Sequence, residues 1–415
     1  MDMHKDISIK DLFTRLCNAD RKKLLIFFYV GTLIVHIIYF IVNDGIWMIG
    51  DPKLDTDSYF FINGAHMLTQ DFSGFIHKYA GMPYYWGYMI FLGILTAIFG
   101  DNFQLVGIVQ IILNSASVPM LYLAAEKVSD DRRIPFISSF IYMFYLSTAR
   151  WALLIGSDFL GAGFMPVCLY LLFSYLNEED INKRRKNLVK LIISLLAYFT
   201  MRTVAATFII CVFIILIWKQ GKTARIIAGS VFAVTAAVLG IVLINAGEQM
   251  HTISDNFSYM ASLYKDGAIV KTLYHYIYAQ DAEYGTFPFY WACLGVIFYR
   301  FFYYWTAIDV GVNNGRYYPR TTYAIAHYLP NLYIFSAMFL GMIISKFRKD
   351  REASNIKLIS GIIWVCCFVQ ILCEINANWR YRDIIMPMCF IVCAYGTARM
   401  YDMLKATSAA SEAAS

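Results

Sequence analysis

The sequence predicts an all-α polytopic membrane protein with about ten transmembrane helices, and three observations support this fold class. Of the 415 residues, 59% are hydrophobic and only 15% are charged, whereas soluble domains carry about 25% charged residues. The chain contains repeated apolar runs that are long enough, or nearly long enough, to cross a bilayer. Its dense Lys and Arg clusters all fall on one side of the resulting topology, as the positive-inside rule requires.

The predicted spans follow the apolar runs in order. These runs cover residues 24–42, 103–125, 134–154, 159–176, 226–245, 326–345, 356–373 and 384–403. The longer stretch 188–217 is interrupted by "TMRT" at 200–203. Because a charged Arg at mid-membrane is costly, we expect two short helices there, with Arg202 at the turn between them. The run 84–99 is too short to cross and predicts a helix that lies at the surface or dips into the membrane.

The basic clusters orient these spans, with both termini in the cytoplasm. They lie at 21–23, 130–133, 182–186, 219–225 and 346–351. Residues 288–305 are expected to lie at the interface or to re-enter, because a full crossing there would place the last cluster outside. The net charge of +6 therefore follows from topology, and no nucleic-acid partner is expected.

The predicted organisation has five parts. They are a cytoplasmic segment 1–23, a transmembrane module 24–245 with the outer loop 43–102 and its interfacial helices, an outer or re-entrant region 246–325, C-terminal transmembrane helices 326–405, and a cytoplasmic tail 406–415 that is expected to be disordered. The nine Cys residues show no metal-binding spacing and are expected to be small buried hydrophobes. A divalent metal ion stays open as a cofactor, because no ligand set specifies one.

Few charged residues face outward in this topology, so they are the candidates for chemistry. They include Asp55 and Asp57 in the first outer loop, Asp158 and Arg202 at two later turns, and "NWRYRD" in the last loop. A carboxylate can take the proton from a hydroxyl nucleophile, and arginines can hold a phosphate through bidentate hydrogen bonds. Simpler interpretations are a solvated loop for Asp55 and Asp57, a helix N-cap for Ser157 or Asp158, and an interfacial anchor for "NWRYR".

The order of several short motifs resembles the GT-C superfamily of integral-membrane glycosyltransferases. The chain is most similar to the protein O-mannosyltransferases and the lipid A aminoarabinose transferases within that superfamily. The motifs are "DTDSYFFINGAHML", "MPYYWGYMIFLGILTAIFG", "NFQLVGIVQIILNSASVPMLYLAAEKV" with "DDRR", "SDFLGAGFMPVCLYLLF", "TMRT" and "WRYRDIIMPMCFIVCAYG". Together they cover residues 50–220 and 375–397.

The resemblance implies an inverting glycosyltransferase that uses a polyprenyl-phosphate-linked sugar on the outer face of the cell membrane. The acceptor would be a hydroxyl group on a glycan, a lipid or a protein. Asp57, or alternatively Asp55, would act as the base, and Asp158 matches the second acid of the family. The implied donor-phosphate ligands are Arg202, Arg380, Arg382 and Lys78, and the aromatic residues expected to stack on substrate are Tyr59, Tyr85, Trp86 and Tyr381.

Two other functions stay open at this point. A polysaccharide polymerase, a ligase or a flippase would act on the same lipid-linked glycans and would depend on the arginines more than on Asp57. A multi-pass transporter would need ionisable groups near the bilayer midplane, and the predicted topology places almost none of the candidates there.

Overall fold

The computed structural model describes residues 9–43, 45, 57–202, 205–218, 298, 301, 304–305, 320–373 and 379–414. Within these ranges the chain forms helices and turns, without a strand. The first helices are α1 (Ile9–Cys17), α2 (Arg21–Val42), α3 (Asp57–Gln70), α4 (Phe72–Tyr79), α5 (Trp86–Phe99), α6 (Phe103–Asn114), α7 (Ser117–Val128) and α8 (Arg133–Met143). The others are α9 (Leu146–Arg150), α10 (Asp158–Leu176), α11 (Ile181–Phe199), α12 (Ala205–Trp218), α13 (Arg320–Phe347), α14 (Arg351–Cys373) and α15 (Trp379–Ala414). Short 3-10 turns cover Pro83–Tyr85 and Trp151–Leu153.

The chain divides into two compact units. The first consists of Met1–Ala206, Val310–Trp364 and Asp383–Ser415, and the second of Thr207–Asp309 and Val365–Arg382. In the first unit α10 packs against α7 and α11, and α3 packs against α5.

Side-chain caps and a proline set several helix boundaries. The carboxylates of Asp20, Asp71 and Asp180 accept hydrogen bonds from backbone N–H groups in the first turns of α2, α4 and α11, which satisfies donors that have no partner inside the helix. Between α6 and α7 the apolar segment is broken, although Phe103–Val128 is long and apolar enough to cross a membrane. Pro119, in the first turn of α7, explains the break, because its ring removes the hydrogen bond to the Ser115 carbonyl.

The all-α, multi-pass character of the chain agrees with the sequence. Six helical segments in the described ranges are long and apolar enough to cross a membrane, and a seventh if the bent pair α4–α5 counts as one span. The six are Arg21–Val42, Phe103–Val128, Asp158–Leu176, Leu329–Phe347, Arg351–Ile371 and Arg382–Glu412. Each coincides with a predicted span. The run 134–154 forms shorter helices, and the predicted span 226–245 and almost all of 246–325 lie outside the described residues.

One local prediction is confirmed and another is wrong. The stretch 188–217 is divided, because α11 ends at Phe199, α12 begins at Ala205, and Arg202 lies between them. The segment before α5 bends by 118°, and the placement of 84–99 at the surface or partway into the membrane stays a prediction. The tail, however, is helical to Ala414. Ala, Ser, Lys and Glu extend a helix that has already formed, so no nucleation cost opposes them.

Most of the basic clusters in the described residues meet at one end of the first unit, which we call the basic end. It is defined by four ion-pair contacts, Arg21–Glu126, Arg133–Asp402, Arg351–Asp130 and Arg399–Glu352, at N–O distances of 2.6 to 2.9 Å. Asn177, just before the cluster 182–186, donates to the Lys127 carbonyl at 2.7 Å. Burial raises the pKa of the Asp131 carboxyl group, but hydrogen bonds and charge from Arg133 outweigh it and hold that pKa below its usual value.

Helices α13 and α15 touch backbone to backbone at two glycines. A Cβ atom on Gly396 would collide with the Ala337 carbonyl and lie 2.9 Å from the Gly341 nitrogen, and one on Gly341 would meet the Val392 carbonyl. Small residues permit this close approach, which favours van der Waals contact between membrane helices.

We therefore expect Gly396→Ala to destabilise the protein by about 1–3 kcal/mol, the usual cost of overpacking, because the methyl group must push α15 away from α13. Gly361→Ala in α14 is the control, since a Cβ atom there meets nothing within 4 Å and Ala favours a helix. Thermal unfolding in detergent measures both. Equal melting temperatures for Gly396→Ala and the wild type would contradict the close backbone contact between α13 and α15.

Candidate active site

A buried ion pair lies at the start of α10. The Arg202 Nη2 atom is 2.8 Å from Asp158 Oδ1, and its Nη1 donates to Asp158 Oδ2 at 3.3 Å. Both side chains are 3–4% exposed. This is the bidentate fork geometry in which guanidinium and carboxylate interact most strongly. Two of the residues selected from the sequence therefore bind each other.

The local sequence places this pair. Gly161, one turn into α10, leaves room for the Arg202 stem, whose Cγ lies 2.9 Å from where a Cβ on Gly161 would be. The capping interpretation of this segment is not supported, because Ser157 is the N-cap residue and makes no side-chain capping bond. Asp158 instead lies in the first helical turn, where the helix dipole also favours a negative charge.

Tyr88 and Gln110 lie beside the pair. The Tyr88 hydroxyl donates to Gln110 Oε1 at 2.9 Å, and it also interacts with the Gly156 backbone and senses the charge of Asp158. Gln110 is seven residues into α6, which at 1.5 Å per residue lies about 10 Å from the start of that helix. The ion pair is recessed in the sense that both of its side chains are almost completely buried.

The start of α3 packs against Tyr85 and Tyr88, at the beginning of α5. Phe61, one turn after Asp57, packs edge-to-face on Tyr85 and Tyr88 with centroid distances of 5.3 and 4.8 Å. Further along, His66 pairs with Asp101 at 2.8 Å, so α3 and α5 run parallel. The first residue of α3, Asp57, thus lies at the α5 end that faces the ion pair. Asp55 lies outside the described residues.

Several first-loop aromatic residues lie at the start of α5, close to the turn that contains Arg202. The Gly87 N–H donates to the Thr200 carbonyl at 2.9 Å, two residues before Arg202. Trp86 Nε1 donates to the Tyr79 carbonyl at 2.8 Å. Tyr59, Tyr85 and Trp86 are all partly exposed, whereas Lys78 is exposed and lies 5.4 Å from the Tyr79 ring.

Both arginines of the last motif, Arg380 and Arg382, belong to the second unit. Arg382 is 1% exposed, and its Nη1 donates to the carbonyls of Tyr304 and Trp305, each at 3.0 Å. The Tyr304 hydroxyl donates in turn to Gln370. Arg380 and Tyr381 lie in the first turn of α15.

The sequence analysis included Asp383 in the candidate motif "NWRYRD" but gave it no specific role in the site. This carboxylate is 1% exposed and accepts hydrogen bonds from Trp151 Nε1 at 3.1 Å and from the Tyr145 hydroxyl at 3.3 Å, all within the first unit. The available signal was its position directly after "WRYR". Within the described residues no group of three or more His, Cys, Asp or Glu side chains could hold a metal ion.

No protein-family model matches this chain, and no curated protein is significantly similar to it. The resemblance to the GT-C superfamily therefore depends on the order of the short motifs.

Removing one partner of the buried pair is expected to be costly. Arg202→Met leaves the Asp158 carboxylate without its counter-ion and should lower the free energy of unfolding by about 3–5 kcal/mol. The double variant Asp158→Leu/Arg202→Met should recover much of that loss, because no unpaired charge remains. Melting temperatures in detergent measure both changes.

The exposed pair Arg351–Asp130, whose side chains are 57% and 87% exposed, provides the control. Arg351→Met should cost less than about 1 kcal/mol, because solvent screens that pair. If Arg202→Met and Arg351→Met lowered the free energy of unfolding by similar amounts, the Asp158–Arg202 pair would not be shielded from solvent.

Proposed function

We propose that this protein is an inverting glycosyltransferase that moves a sugar from a polyprenyl phosphate to a hydroxyl acceptor. The observation that carries the proposal is that the first residue of α3, the partly exposed aromatic residues Tyr85 and Trp86 at the start of α5, and the Asp158–Arg202 pair lie in the same part of the first unit. These residues come from four separate motifs of the sequence.

In this mechanism Asp57 accepts the proton of the acceptor hydroxyl group. The acceptor oxygen forms a bond to the anomeric carbon while the bond from that carbon to the phosphate oxygen breaks, so polyprenyl phosphate leaves with the electron pair. A guanidinium group then stabilises the negative charge on the departing phosphate. No metal ion is needed to balance this step.

The contacts of Asp158 with Arg202 support a positioning role for Asp158. Because it holds Arg202 through two contacts, it is best regarded as a positioning residue that fixes the guanidinium group. Lys78 is proposed as a further phosphate ligand. Tyr59, Tyr85 and Trp86 are proposed as rings that pack against the sugar or the prenyl chain, as aromatic faces do with apolar ligand surfaces. Arg380, Tyr381 and Arg382 belong to the second unit, and their substrate contacts stay predictions from the sequence.

The proposed site also has an expected side of the membrane. Asp158 begins α10, and Asn177, directly after that helix, contacts the basic end. The positive-inside rule assigns the basic end to the cytoplasm. The site would then face outward, where a lipid-linked donor is available without a soluble nucleotide-sugar domain.

Mass spectrometry of surface glycans and lipid carriers from cells lacking the protein tests the function. We expect one sugar to be missing from an acceptor and its polyprenyl-phosphate carrier to accumulate. An accumulated, intact lipid-linked oligosaccharide would instead indicate a polymerase, ligase or flippase.

The base is tested by comparing two acids of the same loop region. Asp57→Asn should lower the transfer rate about 10²–10⁴-fold, the usual contribution of a general base. Asp71→Asn is the matched control, because Asp71 is exposed and caps α4, and Asn caps helices equally well. The assay is transfer from the identified carrier in membranes with equal protein levels.

If Asp57→Asn retains activity, Asp55→Asn is the next variant to measure. Full activity in both would overturn the assignment of the base to this loop.

A further inference from the structure

The break between α6 and α7 lies inside the unit and brings polar residues together there. Asn114 ends α6, Ser117 begins α7, and the two are 2% and 3% exposed. Ser115, between them, uses its own hydroxyl to donate to the Ile111 carbonyl at 2.7 Å. A broken helix in a membrane must have its freed backbone groups satisfied by side chains or water.

The Asn114 amide is the unusual group at this break. In the part of the chain that the structure describes, neither its Nδ2 nor its Oδ1 has a hydrogen-bond partner. Its Oδ1 lies over Gly163 of α10, at a point where a Cβ atom would collide with it. Because residue 163 is a glycine without a Cβ atom, there is room for the Asn114 amide.

Polar groups continue from this amide in both directions. One turn earlier on the same face of α6, Gln110 is fully buried, and its Nε2 likewise has no partner among the described residues. On the other side, the Tyr142 hydroxyl lies beside Ser117 and senses the charge of Asp383. Together Gln110, Asn114, Ser117 and Tyr142 form a polar track between the buried carboxylates Asp158 and Asp383.

Leaving such groups unpaired would be expensive. A buried donor or acceptor without a partner destabilises the folded state, and the Asn114 and Gln110 side chains together contain three such atoms in the described structure. The track is uncharged and lies between closely packed helices, so it suits a small neutral ligand that both donates and accepts hydrogen bonds.

We propose that the polar track is an internal water-binding site, in which ordered water molecules bridge the amides of Gln110 and Asn114 and the hydroxyls of Ser117 and Tyr142. The site would extend from Gln110, which accepts a hydrogen bond from the Tyr88 hydroxyl, to Tyr142. This inference does not depend on the proposed glycosyltransferase activity.

Millisecond X-ray hydroxyl-radical labelling of the full-length protein in detergent tests the site, because radicals formed from bound water oxidise the side chains next to it. We expect oxidation of Tyr142 to exceed that of Phe173, although the two are 2% and 0% exposed. Asn114→Leu should lower Tyr142 labelling several-fold and lower the melting temperature. Ser115→Ala is the control, since that hydroxyl is satisfied within its own helix, and should leave the labelling unchanged.

Two results would overturn the site. One is labelling of Tyr142 that is no higher than that of Phe173 in the wild type. This comparison needs no variant, so it tests the site even if Asn114→Leu fails to fold. The other is an Asn114→Leu protein with a raised melting temperature and unchanged labelling, which would mean that the amide was simply unsatisfied.

Discussion

The high free energy of charge in a low-dielectric environment governs the arrangement of the first unit. Charged side chains gather at the basic end, where Arg133 and Arg399 are paired with Asp131, Asp402 and Glu352. Away from the basic end, the buried charged groups Asp158 and Arg202 are paired with each other. Asp158 and Arg202 are retained there because each neutralises the other, and the turn between α11 and α12, the space above Gly161 and the contact of α5 with Thr200 all accommodate that pair.

This constraint also separates two kinds of polar residue. Those at the basic end are partly exposed and share partners in a network, so each contact contributes modestly. The recessed ones are buried and few, and each depends on a specific neighbour: Tyr88 on Gln110, and Asp383 on Trp151 and Tyr145. Side chains of the second kind are held in one position, which is what a binding or catalytic site requires.

The sequence predicted the features that depend on hydrophobicity along the chain. The six long spans, the turn at Arg202 and the gathering of basic clusters could be read from runs of residues and their charges. The Asp158–Arg202 pairing could not, since 44 positions separate the two and only packing of α10 against α11 brings them together. Asn114 and Gln110 looked like ordinary polar residues within an apolar run, because their burial depends on which face of α6 meets α10. The tail was mispredicted because its composition was judged apart from the helix that it continues.

The glycine crossing of α13 and α15 has an evolutionary consequence. In most packed interfaces a larger residue on one side can be accommodated by a smaller one opposite. Gly341 and Gly396 already have no side chain, so neither position can compensate for a change at the other. Displacing α15 would be the remaining route, but the Arg399–Glu352 and Arg133–Asp402 contacts hold the two turns that follow Gly396. Both sites should therefore tolerate very few substitutions, and should show little pairwise covariation despite their direct contact.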